Sequence, residues 1–259
     1  MTTLHKAADL IDLLVARGGA MRLQDMAEAL GLPRSTIHRL CGSLVDVGLL
    51  HRDGAGTYGL GPRLIGWSLA SDATVDLAWM AQPLLRRLSG ATGEATSLSI
   101  SRGVERICIA TEPGRHALVP LQYVGMRRML GFGASGKVLL AHAGHPTIDR
   151  ACEALVAQGR PVPSDDELAE IRRLRWATSH DEQEVGLSGA AVPVFGRQGS
   201  VLAAVALGGS SARLRPDAIL HLRGPLGECA DGITALVQGS EPAASGASSM
   251  TGDPGSARA

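Results

Sequence analysis

QDMAEALGLPRSTIHRLCGSLVDVG (residues 24–48) has the spacing of two short helices that cross closely. The small side chain of Ala27 falls inside the first helix, Gly31 falls in the turn, and the branched side chain of Ile37 falls inside the second helix. Between its buried positions, the second helix exposes donors that can reach phosphates and base edges in a DNA major groove. These donors are Arg34, Ser35, Thr36, His38 and Arg39. The stretch therefore predicts a helix-turn-helix.

The residues that follow this stretch predict a β-hairpin. Two short β-prone runs, at residues 49–52 and 57–60, flank a glycine-rich turn. A hairpin directly after a recognition helix is the wing of a winged helix, so we expect Arg52, Gly54 and Thr57 to contact the phosphate backbone or the minor groove. The alternative is an ordinary helical hairpin with a basic surface, and the wing favours DNA binding over that alternative.

Composition leaves room for a second domain and limits the partners. The chain has 259 residues, and the helix-turn-helix and wing account for only the first quarter. Its 25 basic and 25 acidic residues give a formal net charge of zero, which argues against a nonspecific coat on a polyanion. Aromatic residues make up 3% of the chain, so a platform for base stacking is not expected. Local positive charge at Arg34, Arg39 and Arg52 is enough for sequence-specific DNA binding.

Cysteine usage and hydropathy indicate a cytoplasmic protein. The cysteines are far apart and form no CxxC pair, as expected for small core residues in a reducing compartment. The N-terminal segment MTTLHKAADLID lacks an apolar signal core, and no run of about 18 apolar residues occurs. We therefore expect no membrane association.

Changes in pattern divide the chain into four parts. Residues 1–61 form the winged helix-turn-helix, residues 62–73 a linker helix, residues 74–238 a second domain, and residues 239–259, rich in Ser, Ala, Gly and Pro, a disordered tail. We expect the linker helix to pack against its copy in a second subunit. The alternative is that this helix docks on its own domain.

The second domain is predicted to be an α+β fold with a mainly antiparallel sheet. Its helices are expected at residues 75–88, 147–158, 165–177 and 217–237, with Pro83 as a kink or break in the first. Its strands are expected at residues 96–101, 106–111, 117–124, 190–195 and 201–207. In the first domain, helices are expected at residues 4–16, 22–30 and 33–47.

One motif is similar to a phosphate-binding loop. GFGASGK (residues 131–137) matches GxxxxGK, but Val138 stands where a Mg²⁺-binding hydroxyl is required, so nucleotide hydrolysis is not expected. The amides of Ala134, Ser135 and Gly136 open a helix and can hold a small anion such as a carboxylate. The alternative is a plain helix start.

Other polar groups predict neither catalysis nor a metal site. Ser135 and Lys137 are two residues apart, so they do not form an SxxK nucleophile pair. His142, His145 and Asp149 are more typical of a solvated turn at a helix end than of a metal site. We therefore expect no enzyme activity, no metal and no cofactor.

The order of these segments resembles the IclR (isocitrate lyase regulator) family over residues 3–238. The resemblance is carried by LPRSTIHRL (32–40), TYGLGPRL (57–64), TGEATSL (92–98), GASGKVLLA (133–141) and GAAVPVF (189–195). It implies a first domain that binds a palindromic DNA operator, a linker helix that dimerises, and a GAF-like second domain that binds a small organic effector. We therefore expect a transcriptional regulator that is a homodimer or a tetramer and acts as a repressor. The alternatives are an activator and, more distantly, a small-molecule enzyme with a DNA-binding appendage.

The resemblance also implies which residues surround the effector. They are the amides of Ala134 and Ser135, a loop at residues 179–182 with Ser179 and Asp181, and Gly189, Ala206 and Gly208 on two late strands. Family members that bind small oxo-acids carry a thiol and hydroxyls at the last three positions. Because glycine and alanine remove those polar groups and leave room, we expect a bulkier or more apolar effector, aromatic or acyl, with one carboxylate.

Overall fold

The computed structural model describes residues 2–69, 72–116 and 122–239. Its N-terminal elements are α1 (Thr3–Ala16), β1 (Ala20–Arg22), α2 (Leu23–Leu30), α3 (Arg34–Asp46), β2 (Leu50–Arg52), β3 (Thr57–Leu60) and α4 (Pro62–Leu69). They are followed by α5 (Asp72–Thr92), β4 (Ala95–Arg102), β5 (Glu105–Glu112), β6 (Arg127–Met129), α6 (Gly133–Ala141), α7 (His145–Ala157) and α8 (Asp165–Leu174). The last elements are β7 (Ala177–His180), β8 (Leu187–Phe195), β9 (Val201–Ser210), α9 (Pro216–Leu220) and α10 (Arg223–Gly239).

The N-terminal helices pack on a small antiparallel sheet in the strand order β1-β3-β2. Local signals set the helix ends: the Thr2 hydroxyl accepts a hydrogen bond from the His5 amide at the start of α1, and Gly31 ends α2 with φ 61°. Strand β1, which includes Arg22, was not expected from the sequence. With three residues it is too short to show an alternating pattern, and its pairing with β3 defines it.

One apolar core holds the two crossing helices in place. Met26 and Ala27 of α2 and Ile37 of α3 are buried against Leu10 and Leu14 of α1. Ile37 has no exposed surface, so the sequence prediction of a buried branched residue at this position is confirmed. Burial of this face of α3 leaves its opposite face free for contacts with a partner.

The C-terminal half contains a six-stranded antiparallel sheet in the order β6-β5-β4-β9-β8-β7. One face of the sheet packs on α5 and α10 around Leu85, Leu98 and Ile233. The other face, rich in alanine, packs on α6. The predicted α+β fold with an antiparallel sheet is confirmed. No helix of the described ranges is long and apolar enough to cross a membrane.

Several predicted boundaries were wrong. The helix expected at residues 165–177 ends at Leu174, because Arg175 takes a left-handed conformation with φ 52° and the chain continues into β7. The helix expected at residues 217–237 is divided into α9 and α10. Pro83 does not break α5, which is continuous. The short edge strand β6 pairs with β5 and was also missed.

Two predicted segments fall partly or wholly outside the described residues. Of the strand expected at residues 117–124, residues 117–121 lie outside them, and residues 122–124 are not in a strand. The tail expected to be disordered from residue 239 lies outside them from residue 240 onward, while Gly239 ends α10.

Truncation of Ile37 tests the core of the helix-turn-helix. Ile37→Ala should lower the free energy of unfolding by about 2–5 kcal/mol, because it removes buried methyl groups and leaves a cavity among α1, α2 and α3. Val47→Ala is the control, since Val47 is 46% exposed and its truncation should change stability by less than about 0.5 kcal/mol. Urea unfolding followed by circular dichroism measures both, and equal effects would contradict the assigned core.

Candidate nucleic-acid interface and ligand pocket

Helix α3 presents one polar face to solvent and one apolar face to the core. Ile37, Leu40, Cys41 and Leu44 are buried. The side chains of Arg34, Ser35, His38 and Arg39 are exposed, and Thr36 is half-buried. All five predicted DNA-contacting residues of this helix therefore lie on or beside its solvent face. This arrangement allows several donors to enter a groove together.

The start of α3 is also open to an anion. Pro33 occupies the N-cap position, and no side chain caps the helix. The amides of Arg34 and Ser35 are therefore left without an acceptor inside the helix, because the first intrahelical bonds begin at Thr36 and Ile37, which donate to the Pro33 carbonyl. A DNA phosphate can accept from such amides.

The turn between β2 and β3 is ordered by Asp53. Its Oδ1 accepts hydrogen bonds from the amides of Ala55 at 3.0 Å and Thr57 at 2.8 Å. Gly56 has φ 82°, which completes the tight turn. Thr57 thus contributes its amide to the turn and is half-buried, whereas Gly54 is exposed at the tip.

Two side chains on β2 have different surroundings. The Arg52 guanidinium is exposed and lies 5.5 Å from the centre of the Tyr58 ring, a cation–π contact that orients it beside the turn. His51 packs instead on Gly59, where a Cβ would be 2.4 Å from its ring, and its Nδ1 donates to the Leu60 carbonyl. His51 fixes the hairpin, a role that the sequence did not suggest.

Six of the seven residues predicted to bind an effector meet in one cavity of the C-terminal half. The cavity is lined by Gln122, Ala134, Ser135, Ser179, Gln183, Leu187, Ser188, Gly189, Ala206, Leu207 and Gly208. It lies between the start of α6 and the face of β7, β8 and β9. Its free volume is about 20 Å³, which is room for about one water molecule.

Asp181, the seventh predicted residue, does not line the cavity. It is exposed, has φ 55°, and its Oδ1 accepts from the Ser211 hydroxyl at 2.6 Å and the Gly186 amide at 2.8 Å. These hydrogen bonds lower the pKa of the carboxyl group. Asp181 therefore fastens the loop at residues 181–186. Gln183, one residue beyond the loop predicted to form a wall of the effector site, enters the cavity wall instead.

The side chain of Gln183 rests directly on the start of α6. Gly133 has φ 71°, and a Cβ there would lie 1.9 Å from the Gln183 Nε2 atom. Only a glycine at this position allows both the backbone turn and this contact. Gln183 thus fills space beside Ala134 and Ser135, which explains why the cavity is small.

Gly189 lines the cavity, and strand packing also requires a glycine at this position. A Cβ at this position would lie 2.8 Å from the carbonyl oxygen of Leu207 on the neighbouring strand. The glycine is therefore required by the close approach of β8 and β9. Its presence does not by itself enlarge the cavity for a bulkier effector.

The Lys137 ammonium forms ion pairs with two carboxylates. Its ammonium lies 2.6 Å from the Glu182 carboxylate and 3.0 Å from that of Glu167. Burial disfavours its charge, but the hydrogen bonds and charges of these two partners outweigh burial and raise the pKa of Lys137. Lys137 therefore ties α6 to α8 and to the loop that carries Gln183, a role different from that of a phosphate-loop lysine.

The contact between Gln183 and the start of α6 can be tested with paired glycine substitutions. Gly133→Ala should cost about 1–3 kcal/mol more unfolding free energy than Gly159→Ala, because it adds a clash to the backbone strain. Gly159 has a similar φ of 64° and open space around it, so its substitution reports the strain alone. Urea denaturation measures the unfolding free energy of both variants. Equal losses would contradict a tight contact between Gln183 and Gly133, because the Gln183 side chain could then move away without cost.

Comparisons with known proteins agree across the chain. The family model for the IclR helix-turn-helix domain matches residues 3–54, and that for the bacterial transcriptional regulator IclR C-terminal domain matches residues 71–235. The DNA-binding transcriptional repressor YiaJ of Escherichia coli K12 is 31% identical over 244 residues, which cover 90% of this chain and 86% of that protein.

Solved structures share the fold. An IclR transcriptional regulator from Silicibacter sp. TM1040 has 27% identity and a TM-score of 0.65, with 93% of this chain and 98% of that chain covered. An IclR homologue from Microbacterium hydrocarbonoxydans, solved in complex with 4-hydroxybenzoate, has 24% identity and a TM-score of 0.68, with 92% and 100% covered. With both halves matched in sequence and in fold, the chain belongs to the IclR family of bacterial transcriptional regulators.

Proposed function

We propose that α3 and the β2–β3 wing bind a palindromic DNA operator, and that a small carboxylate-bearing effector in the α6 cavity changes the affinity for it. The observation that carries the proposal is the cavity itself, which collects six residues predicted for effector binding from four elements, α6, β7, β8 and β9. The proposal divides the chain into a DNA-binding domain at residues 1–61, a linker helix at 62–73 and an effector domain at 74–238. Repression is the proposed direction of regulation.

The proposed DNA contacts are of two kinds. Arg34, Ser35, His38 and Arg39, with Thr36 beside them, would reach base edges and phosphates in the major groove. Arg52, Gly54 and Thr57 in the wing would follow the backbone or the minor groove. The exposed face of α3, its uncapped N-terminus and the ordered wing turn support this division.

Arg39→Ala should weaken operator binding by about 1–3 kcal/mol, if its guanidinium bonds to a base. Fluorescence anisotropy measures the affinity for an operator obtained by selection from random DNA. If Arg39 contacts a base, Arg39→Ala should reduce the affinity for unrelated DNA less than it reduces the affinity for the operator.

Arg173→Ala is the matched control, because Arg173 is exposed on α8 and bonds to Glu170. Its substitution removes the same charge and should leave operator affinity unchanged. Loss of affinity in the Arg173 variant equal to that in the Arg39 variant would indicate a general charge effect and remove Arg39 from the interface.

The proposal includes a homodimer that can form a tetramer. Trp67 on α4 is 55% exposed, and the Arg63 guanidinium lies over its ring at 5.3 Å, so an apolar surface is available for a second copy. Two copies would address half-sites on one face of the duplex, about 34 Å or a multiple of it apart.

We infer that the cavity binds its ligand without converting it. Ser188 in its wall lies 3.0 Å from His180 Nδ1, a distance that would suit a nucleophile and its base. However, the Ser211 hydroxyl donates to Asp181 and therefore must accept from Ser188, whose single proton is then used. In this series of hydrogen bonds His180 Nδ1 therefore donates to the Ser188 oxygen. It cannot then accept the Ser188 proton, so it cannot activate Ser188 as a nucleophile.

A carboxylate suits the described lining. The amides of Ala134 and Ser135 stand at the positive end of α6, and Ser179 adds a hydroxyl donor. The Microbacterium relative was solved with 4-hydroxybenzoate, a compact acid of this class.

A panel of carboxylic acids from pyruvate to 4-hydroxybenzoate tests effector action. We expect at least one acid to raise the melting temperature of the free protein and, in a separate titration, to shift operator affinity about 5- to 150-fold. The corresponding amides serve as neutral controls. An acid that stabilises the protein but leaves operator affinity unchanged would contradict the proposed regulation, although not the proposed binding.

A further inference from the structure

The C-terminal half buries an arginine that no carboxylate neutralises among the described residues. Arg106 lies on β5, opposite Ser101 of β4 and Arg128 of β6, and is 1% exposed. Its two terminal nitrogens donate to neutral groups, the Ser99 hydroxyl at 3.5 Å and the Gln183 carbonyl oxygen at 3.4 Å. Both hydrogen bonds are long, and within the described part of the chain the Arg106 Nε has no hydrogen-bond partner.

Such a group is costly for a folded protein. Burial disfavours the charged form and lowers the pKa of Arg106 to about 10, the nearby Cys108 thiol opposes this effect, and Arg128 adds to it. The guanidinium still carries its charge at neutral pH. A buried charge without an opposite charge strongly destabilises the fold, so an anion from outside the chain would be bound favourably.

The Gln183 side chain connects Arg106 with the cavity. Gln183 lines the cavity and is also the acceptor for the Arg106 Nη2 atom. The same Gln183 side chain rests on Gly133 at the start of α6, beside the amides of Ala134 and Ser135. Rotation of the Gln183 side chain would therefore join the cavity to the guanidinium and enlarge a space that now holds about one water molecule.

We propose that Arg106 binds the carboxylate of the effector, which replaces the Gln183 carbonyl oxygen as its acceptor. The ligand class is a compact organic acid whose carboxylate takes parallel hydrogen bonds from the planar guanidinium and further ones from the start of α6. The inference rests on the proposed function, since it assigns a further residue and a charge to that same site. It also gives Gln183 a role, as the neutral group that satisfies Arg106 until an acid binds.

Arg106→Met separates this role from a structural one. The methionine fills similar space without the charge, so the free protein should melt at the wild-type temperature or above it, because the desolvation cost is removed. Carboxylates of the panel should bind about 10- to 100-fold more weakly, as for the loss of a charged hydrogen bond. Isothermal titration calorimetry with benzoate and 4-hydroxybenzoate, against benzamide and 4-hydroxybenzamide, measures the affinities.

Two further variants complete the design. Arg102→Met removes an exposed arginine from the end of β4 and should change neither readout. Gln183→Ala removes the competing acceptor, so it should strengthen the binding of the acids and not of the amides. This variant decides the question if Arg106→Met fails to fold.

The outcomes separate the inference from the proposed function. Wild-type affinity of the Arg106→Met protein for the acids would overturn the inference and leave the effector proposal standing. Weaker acid binding by Gln183→Ala would also overturn it. If the wild-type protein binds none of the acids, the carboxylate effector and the role of Arg106 both fail.

Discussion

The packing of α6 on one face of the six-stranded sheet is the contact on which the cavity depends. That face consists of small side chains, including Ala191, Ala204 and Ala206, so the first turn of α6 comes close to the strands. At Gly189 the approach of β9 excludes even a Cβ atom. Larger side chains at these positions would separate the helix from the sheet, so packing, independently of any ligand, requires small residues there.

Two cations beside this contact, the half-buried Lys137 and the buried Arg106, have opposite surroundings. Lys137 is held between Glu182 and Glu167, and its charge is used to join α6, α8 and a loop. Arg106 has only neutral partners, and one of them, Gln183, belongs to the same loop. A neutralised charge stabilises the fold, whereas an uncompensated one is available to an anion. In the proposed mechanism, an acid displaces the Gln183 side chain from Arg106. The neighbouring residue Glu182 is paired with Lys137 of α6, so movement of this loop on ligand binding would also act on α6.

In the N-terminal half, too, the residues that pack in the core differ from those proposed to contact the ligand, here DNA. Ile37 is fully buried, and the neighbouring residues of α3 carry their donors on the other side of the helix. The wing is ordered by hydrogen bonds that the Asp53 carboxylate accepts from the amides of Ala55 and Thr57, independently of any partner. The two surfaces proposed to contact DNA, α3 and the wing, are thus ordered without a partner, so their donors need little reorganisation on binding.

The sequence by itself determined the helix-turn-helix, the wing, the family and six residues of the cavity wall, because helix periodicity, glycine turns and family motifs are local properties of the chain. Tertiary structure decided the rest. Strand β7 exists because residues 177–180 pair with β8, and Arg175 leaves the helix to allow this pairing. Asp181 and Gln183 are two residues apart, yet a left-handed turn directs one to Ser211 and the other to the cavity. Arg106 looks like an ordinary strand arginine in the sequence. Its lack of a counter-charge emerges only when strands distant in sequence surround it, because charge compensation depends on neighbours in space.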